Sequence, residues 1–273
     1  MPKVKVSDIS VSYEVAGEGD PVLLVTGWGA DSMAWMMNVP PLAERYKVIT
    51  MDNRGAGLSD TPHTPYTIEM MADDTIGLLK HLNVGPVHLV GHSMGGMISQ
   101  HVALKAPELL RSLTLMATTA NVPTAAATPT PGGVLTGLFS DILEKIGIEA
   151  HVDNILLWSL SGPYIETNWE MVQGLKQLML AHWAEVPLDP VCFRRQGEAC
   201  SGHQILDRLG AIRTPTMVLG AEGDILTPPR NSEDIAKAIP GSELVVLKQC
   251  AHGLNMEIPG EFAQTLLDWF DRN

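Results

Sequence analysis

Ser93 stands between glycines in Gly91-His92-Ser93-Met94-Gly95, with Gly96 next; "PVHLV" before it is built for a strand, and "MGGMISQHVALKAP" after it is helical. A G-x-S-x-G corner lets a strand turn sharply into a helix, which leaves the hydroxyl exposed on a strained turn. A serine that merely caps the helix is the competing reading, but capping does not require glycine on both sides. An unassisted serine hydroxyl is a poor nucleophile, so a base held by an orienting acid must lie near it. In "KQCAHGLN" His252 follows a strand ending near Lys248, and in "LGAEGDILTPP" Asp224 follows a strand over 216–219. Both loops are expected at the carboxyl edge of a sheet, where they can converge on Ser93.

Attack on a carbonyl also builds charge on oxygen, which needs hydrogen-bond donors. The backbone N–H of Met94, at the helix start, and that of Trp28, in "TGWGAD" after an early strand, are the candidates for this oxyanion hole. The plainer reading of "GWG" is a turn with an aromatic packing residue. Glu222 is the alternative acid, although the Gly-Asp turn before "ILTPP" favours Asp224. His92 adjoins Ser93, but side chains diverge on a sharp turn, so it reads as structural. His88 reads as a packed histidine inside a strand. The remaining histidines, at 63, 81, 101, 151, 182 and 203, read as surface or structural. No HExxH spacing supports a metal, and no cofactor is expected.

The elements that must position these groups alternate. "DPVLLVTG", "YKVITMD", "PVHLVG" and "LRSLTLMAT" are short β-rich runs suited to strands buried on both faces, with a helix in "YTIEMMADDTIGLLKHLN" capped by Thr67. This rhythm predicts an α/β fold with a mostly parallel sheet flanked by helices. The N-terminal "KVSDISVSYEVAGEGD" alternates about a Gly-rich turn, as an antiparallel hairpin would. After Thr119 the pattern breaks into the loop "NVPTAAATPTPGG", helical patterns around 134–147, 149–160 and 168–183, and a polar stretch through Gln204. The expected organisation is a core of 1–119 and 207–273 with a helical cap over 120–206. The sheet resumes at "TPTMVLG" and "SELVVLK", followed by a last helix in "GEFAQTLLDWFDR".

The formal net charge of −13, with no Lys/Arg block, disfavours a nucleic-acid surface. No apolar stretch approaches the roughly 18 residues that cross a bilayer, and the start lacks a signal-like hydrophobic core, so the expected location is cytoplasmic. Cys192, Cys200 and Cys250 form neither a disulfide framework nor a zinc pattern, and read as small buried hydrophobes.

"LLVTGWG", "DNRGAGLSD", "VGHSMGGMISQ", "LGAEGDILTP" and "CAHGLNMEIPGEF" occur in the order and at the intervals of the α/β-hydrolase superfamily, which the sequence resembles across nearly its whole length. The resemblance implies Ser93 as nucleophile, Asp224 as acid, His252 as base and the Trp28 and Met94 amides as the oxyanion hole. Asp52 and Arg54 fall in a structural loop. The general appearance is similar to small carboxylesterases and 3-oxoadipate enol-lactonases, though Thr26-Gly27 replaces the His-Gly of many relatives. Serine at position 93 argues against dehalogenases and epoxide hydrolases, which use Asp there. Ala251-His252-Gly253 departs from the Gly-His-Trp of C–C hydrolases.

The implied function is hydrolysis of carboxylic esters through an acyl-enzyme, on apolar aryl or short-to-medium acyl esters. Leu135, Leu138, Phe139, Leu156, Trp158, Trp169, Met171 and Trp183 of the cap, with Met33, Trp35 or Met36, are available to line such a site. The alternatives are a lactonase, a perhydrolase of haloperoxidase type, a C–C bond hydrolase, and a noncatalytic ligand-binding protein. The expected partner is a small-molecule ester or lactone, with the chain a monomer or small homo-oligomer.

Overall fold

The computed structural model describes residues 1–122 and 131–273, with side chains described outside 131–136. Most of the expected loop "NVPTAAATPTPGG", and the Leu135 side chain, lie outside the described residues.

The strands are β1 (Lys3–Val6), β2 (Ile9–Ala16), β3 (Asp20–Val25), β4 (Tyr46–Met51), β5 (Val87–His92), β6 (Leu110–Met116), β7 (Thr216–Ala221) and β8 (Glu243–Leu247). Among the described residues they form one eight-stranded sheet in the order β1-β2-β4-β3-β5-β6-β7-β8. The β1–β2 and β2–β4 pairs are antiparallel and all others parallel. The α/β reading therefore stands, with one correction at the N-terminus. The hairpin turns at Ser7-Asp8, where Ser7 has φ 48°, and the Gly-rich stretch instead joins β2 to β3, which are not neighbours.

Helices α1 (Val39–Ala43), α2 (Ile68–Leu82) and α3 (Met94–Lys105) lie in the connections from β3 to β6, and α2 is capped as expected by Thr67 Oγ1, which accepts the Met70 N–H at 3.1 Å. Between β6 and β7 the chain inserts α4 (Pro131–Lys145), α5 (Ile148–Ser159), α6 (Gly162–Thr167), α7 (Trp169–Glu185) and α8 (Pro190–Ser201). The expected polar stretch before Gln204 is in fact α8. Asp189 caps it by accepting the Val191 and Cys192 amides at 2.8 and 3.0 Å, and Pro190 occupies the first turn, where its missing N–H costs nothing. Helices α9 (Pro229–Ala238), α10 (Leu254–Glu257) and α11 (Pro259–Phe270) complete the fold.

Alternate residues of the central strands feed two cores. Leu23, Val25 and Leu89 belong to one face with α2, α3 and α9; Val22, Leu24 and Val90 belong to the other with Trp35, Phe262 and Leu266. Burial on both faces is what makes these strands continuous apolar runs. A third cluster, built on Val152, Leu156, Leu160, Val172 and Trp183, is internal to the insertion.

Candidate active site

The sheet ends abruptly at Ser93. Its backbone has φ 56° and ψ −117°, a region that L-residues occupy at a cost of about 1–3 kcal/mol and only when the surroundings enforce it. The enforcement is visible. Ser93 N–H donates to Met116 O at 2.9 Å, and Ser93 O accepts from Gly96 N, Met97 N and Thr118 Oγ1 at 2.9, 3.2 and 2.6 Å. A Cβ on Gly91 or Gly95 would collide with backbone oxygens of Gly95 and Val25, and one on Gly96 would lie 2.6 Å from the Thr118 side chain. The glycines therefore exist to let β5, β3 and α3 approach one another. Ser93 makes no capping bond through its side chain, which removes the helix-cap explanation.

Asp224, on the turn after β7, and His252, on the loop after β8, meet as their placement at strand ends predicts. His252 Nδ1 lies 2.9 Å from Asp224 Oδ2. Asp224 Oδ1 accepts the Leu226 and Thr227 amides, both at 2.8 Å, and Thr227 Oγ1 donates to Oδ2 at 2.7 Å. Burial alone would raise the Asp224 carboxyl; the adjoining imidazole and then the Thr227 donors outweigh it, and hold the group below the ordinary carboxylate range. Glu222 is exposed to solvent and takes no part in this cluster. Thr227 was not signalled by any motif, although an Asp followed three residues later by a hydroxyl is the pattern of a local side-chain turn.

His92 serves as a prop. Its Nε2 is 3.0 Å from the carbonyl oxygen of His252, and the two rings are 4.9 Å apart. Burial, and then the nearby His252, push its pKa down to about 3. His88 lies in β5 with Nδ1 2.8 Å from Ser112 Oγ, buried as expected.

The loop after β3 approaches Ser93 from the other side. A Cβ on Gly27 would come within 3.1 Å of Ser93 Cβ. Thr26 is fixed by Asn53 Nδ2, which donates to its carbonyl at 3.1 Å, and by its own hydroxyl, which donates to Ala30 O at 3.0 Å. These two bonds support the loop at Thr26. Among the described residues, the N–H groups of Trp28 and Met94 have no acceptor, whereas Gly29 N–H and Ser93 N–H on either side are bonded. The Trp28 indole stacks on Phe193 at 4.4 Å and donates from Nε1 to Phe193 O at 2.6 Å.

Ser93, Trp28, Phe139, Leu226 and His252 are common to two cavities of about 380 and 180 Å³. The smaller is walled by Met33, Met36, Met179, Met256, Leu156 and Trp183; the larger adds Thr119, Asn121, Arg230, Asn231 and Asp234. Trp35 instead packs between Phe262 and His92. Of the other cap residues, Trp158 lies behind Phe139 at 6.1 Å, while Leu138, Trp169 and Met171 are exposed.

Asp52 and Arg54 are structural: Asp52 accepts the Ser32 and Leu58 amides at 2.8 and 2.9 Å, and Arg54 makes a two-pronged pair with Asp74 at 2.6 and 2.8 Å. All three cysteines are free and buried, and burial pushes the Cys200 and Cys250 thiols up to about 12. Among the described residues, one group could hold a metal ion: His63, Asp189 and Cys192, whose ligand atoms lie within 4.8 Å of one another. None of the three lines either cavity. No helix among the described residues is long and apolar enough to cross a membrane.

The profile of the alpha/beta hydrolase fold family matches residues 20–146. RutD of Azorhizobium caulinodans, which carries the name of a carbamate hydrolase, is 31% identical over 98% of this chain and 97% of its own. A thermophilic esterase from Thermogutta terrifontis superposes with a TM-score of 0.86 at 26% identity, covering 100% of this chain and 99% of that one. The enol-lactonase from Burkholderia xenovorans shares the fold with a TM-score of 0.86 at 23% identity, over 99% and 100% of the two chains. The sheet order, the glycine-flanked Ser93 corner and these similarities together make this chain a member of the α/β-hydrolase superfamily, in its esterase- and lactonase-like branch.

Proposed function

We propose that the protein is a serine hydrolase that cleaves carboxylic esters or lactones of apolar acids through an acyl-enzyme. The observation that carries this reading is that Ser93 and His252 share the wall of both cavities while Asp224 holds the far nitrogen of the same imidazole. His252 Nε2 takes the Ser93 proton as Oγ attacks the carbonyl carbon, and the Trp28 and Met94 amides receive the oxyanion. The same imidazole then protonates the departing alkoxide. Water, deprotonated in turn by His252, releases the acid and restores Ser93. In a lactone the alkoxide remains tethered to the acyl group, so one site serves both substrate types.

The methionine-lined smaller cavity suits a flexible apolar acyl chain, because unbranched thioether side chains adapt to irregular shapes. The larger cavity, with Asn121, Asn231 and Thr119 on its walls, suits the more polar departing group. Two measurements test the reading. A fluorophosphonate probe is expected to label the wild type and not S93A. A p-nitrophenyl ester series is expected to rise in kcat/KM from acetate to a medium chain and then fall. Folded wild-type protein that neither labels nor turns over any ester or lactone would sink it.

A further inference from the structure

The inserted region does more than cover the cavity. Gln196 of α8 is fully buried, and its amide joins two loops that carry no other link through it: Oε1 accepts the Gly29 N–H at 2.8 Å, and Nε2 donates to Arg54 O at 2.8 Å. Gly29 immediately follows Trp28, whose N–H has no acceptor among the described residues and is the oxyanion donor of the proposed mechanism. The same helix takes the Trp28 indole proton on Phe193 O and stacks the Phe193 ring against it. Gly29 has φ +71°, and a Cβ there would lie 2.6 Å or less from Phe193 ring carbons, so loop and helix are as close as glycine allows. Arg54, at the other end of the link, is anchored by Asp74 and by Asp8 at 2.9 Å. A rigid part of the core thus grips the Trp28 loop through one amide side chain of the insertion.

We infer that Gln196 is a positioning residue for the chemical step: acting through the Gly29 amide, it fixes the Trp28 N–H against the oxygen that becomes charged when Ser93 attacks. This rests on the reading of Ser93 as nucleophile given above. A donor aimed at the transition state is sensitive to displacements of a fraction of an ångström. The Gly29 N–H lies in the peptide plane next to the one that carries the Trp28 N–H; the two planes are joined at Trp28 Cα, and only the φ and ψ of Trp28 separate them, so a shift of Gly29 is passed to the Trp28 N–H. Loss of the Gln196 acceptor should therefore lower kcat and leave ground-state binding almost unchanged.

Gln196→Met keeps the length of the side chain and removes both polar atoms. Gln196→Glu keeps an acceptor for Gly29 and loses the donor to Arg54 O. The two variants are compared with the wild type on a small aryl ester and with a trifluoromethyl ketone. With the ketone, Ser93 Oγ adds to the carbonyl carbon, His252 takes the hydroxyl proton, and the ketone oxygen becomes the oxyanion. For Q196M we expect kcat to fall on the order of tenfold to a hundredfold, KM to stay within about twofold, and inhibitor affinity to fall by the same factor as kcat/KM. Q196E should lie between Q196M and the wild type. A role confined to holding the insertion in place would instead lower thermal stability and alter KM, with kcat and inhibitor affinity unmoved in the folded variants. That result beside an inactive S93A overturns the proposal alone, whereas full turnover by S93A overturns the nucleophile reading and this proposal with it.

Discussion

Asp224 divides its two carboxylate oxygens between tasks: Oδ1 takes the Leu226 and Thr227 amides, and Oδ2 faces His252 Nδ1 at 2.9 Å. Both tasks need an accepting oxygen, but the first pair of bonds is met equally well by a neutral amide carbonyl, whereas the second fails once the other oxygen becomes an NH₂. Asp224→Asn can keep its carbonyl oxygen toward the amides and would then present an NH₂ to the imidazole. We expect D224N to fold and to lose kcat/KM on the order of 10³–10⁴-fold, because the wrong tautomer of His252 is favoured. E222Q, at an exposed position, should stay within about twofold of wild type. Circular dichroism and fluorophosphonate labelling rates check both. An active D224N beside a folded, inactive E222Q would reverse the assignment.

Thr227 Oγ1 donates to Asp224 Oδ2 at 2.7 Å and stands 3.3 Å from His252 Nδ1. Replacing it with valine preserves shape and removes a hydrogen bond to the charged carboxylate, worth roughly 1.5–3 kcal/mol. T227V is expected to lower kcat/KM about tenfold or more, with T227S close to wild type. Equal activities for T227V and T227S would show that the hydroxyl does not matter.

Glycines 27 and 95 predict opposite failures. A Cβ at Gly27 meets the Ser93 side chain, 3.1 Å from Cβ and 3.6 Å from Oγ, where little else is disturbed. A Cβ at Gly95 is driven into the Val25 and Thr26 carbonyls, which are held in the sheet and at its edge. G27A should therefore fold with a cooperative transition near that of wild type and be slow in turnover. G95A should lose several kcal/mol of stability or fail to accumulate as folded protein. Urea unfolding of both variants, with kcat for G27A, distinguishes the two effects.

Burial holds His88 and His151 at pKa values of about 4, and His92 and His203 at about 3. Each is neutral when folded, whereas the unfolded chain protonates it below about 6.5. Their contribution to stability is therefore complete above that value and is lost as the pH falls from there towards the folded pKa. Between about pH 7 and 5, one such residue accounts for roughly 2 kcal/mol of the decline. H88L should show a decline smaller by about that amount in urea titrations at the two pH values. An undiminished decline in H88L would mean that His88 already takes up a proton in the folded protein.

The placement of Ser93, Asp224 and His252 just past strand ends is legible in the sequence because strand-to-turn transitions are local, and a parallel sheet brings the carboxyl ends of its strands to one edge. Helix α8 is not. Its buried positions are Cys192, Phe193, Gln196, Gly197, Ala199 and Cys200, all but Phe193 small or polar residues, which hide an apolar stripe. Gln196 and Gly29 are 167 positions apart, and their bond joins a side-chain oxygen to a backbone N–H, which leaves no trace in the spacing of either segment. The N-terminal turn is hidden in the sequence for a different reason. Gly17 and Gly19 advertise a bend through their positive φ, but Ser7 makes the hairpin with φ 48° and carries no such compositional mark.

Because β6 acquires its outer neighbour, β7, only after α4–α8 have intervened, a chain growing from the ribosome presents β6 as an open edge throughout synthesis of α4–α8. Leu113, Leu115 and Met116, all fully buried at the end, must wait uncovered on at least one side during that interval. Exposed apolar strand edges recruit other strands. That edge closes only when Thr216 to Leu219 emerge and pair with β6, so placing the insertion in the middle of the sheet lengthens the interval during which one of its strands stays unpaired on one side.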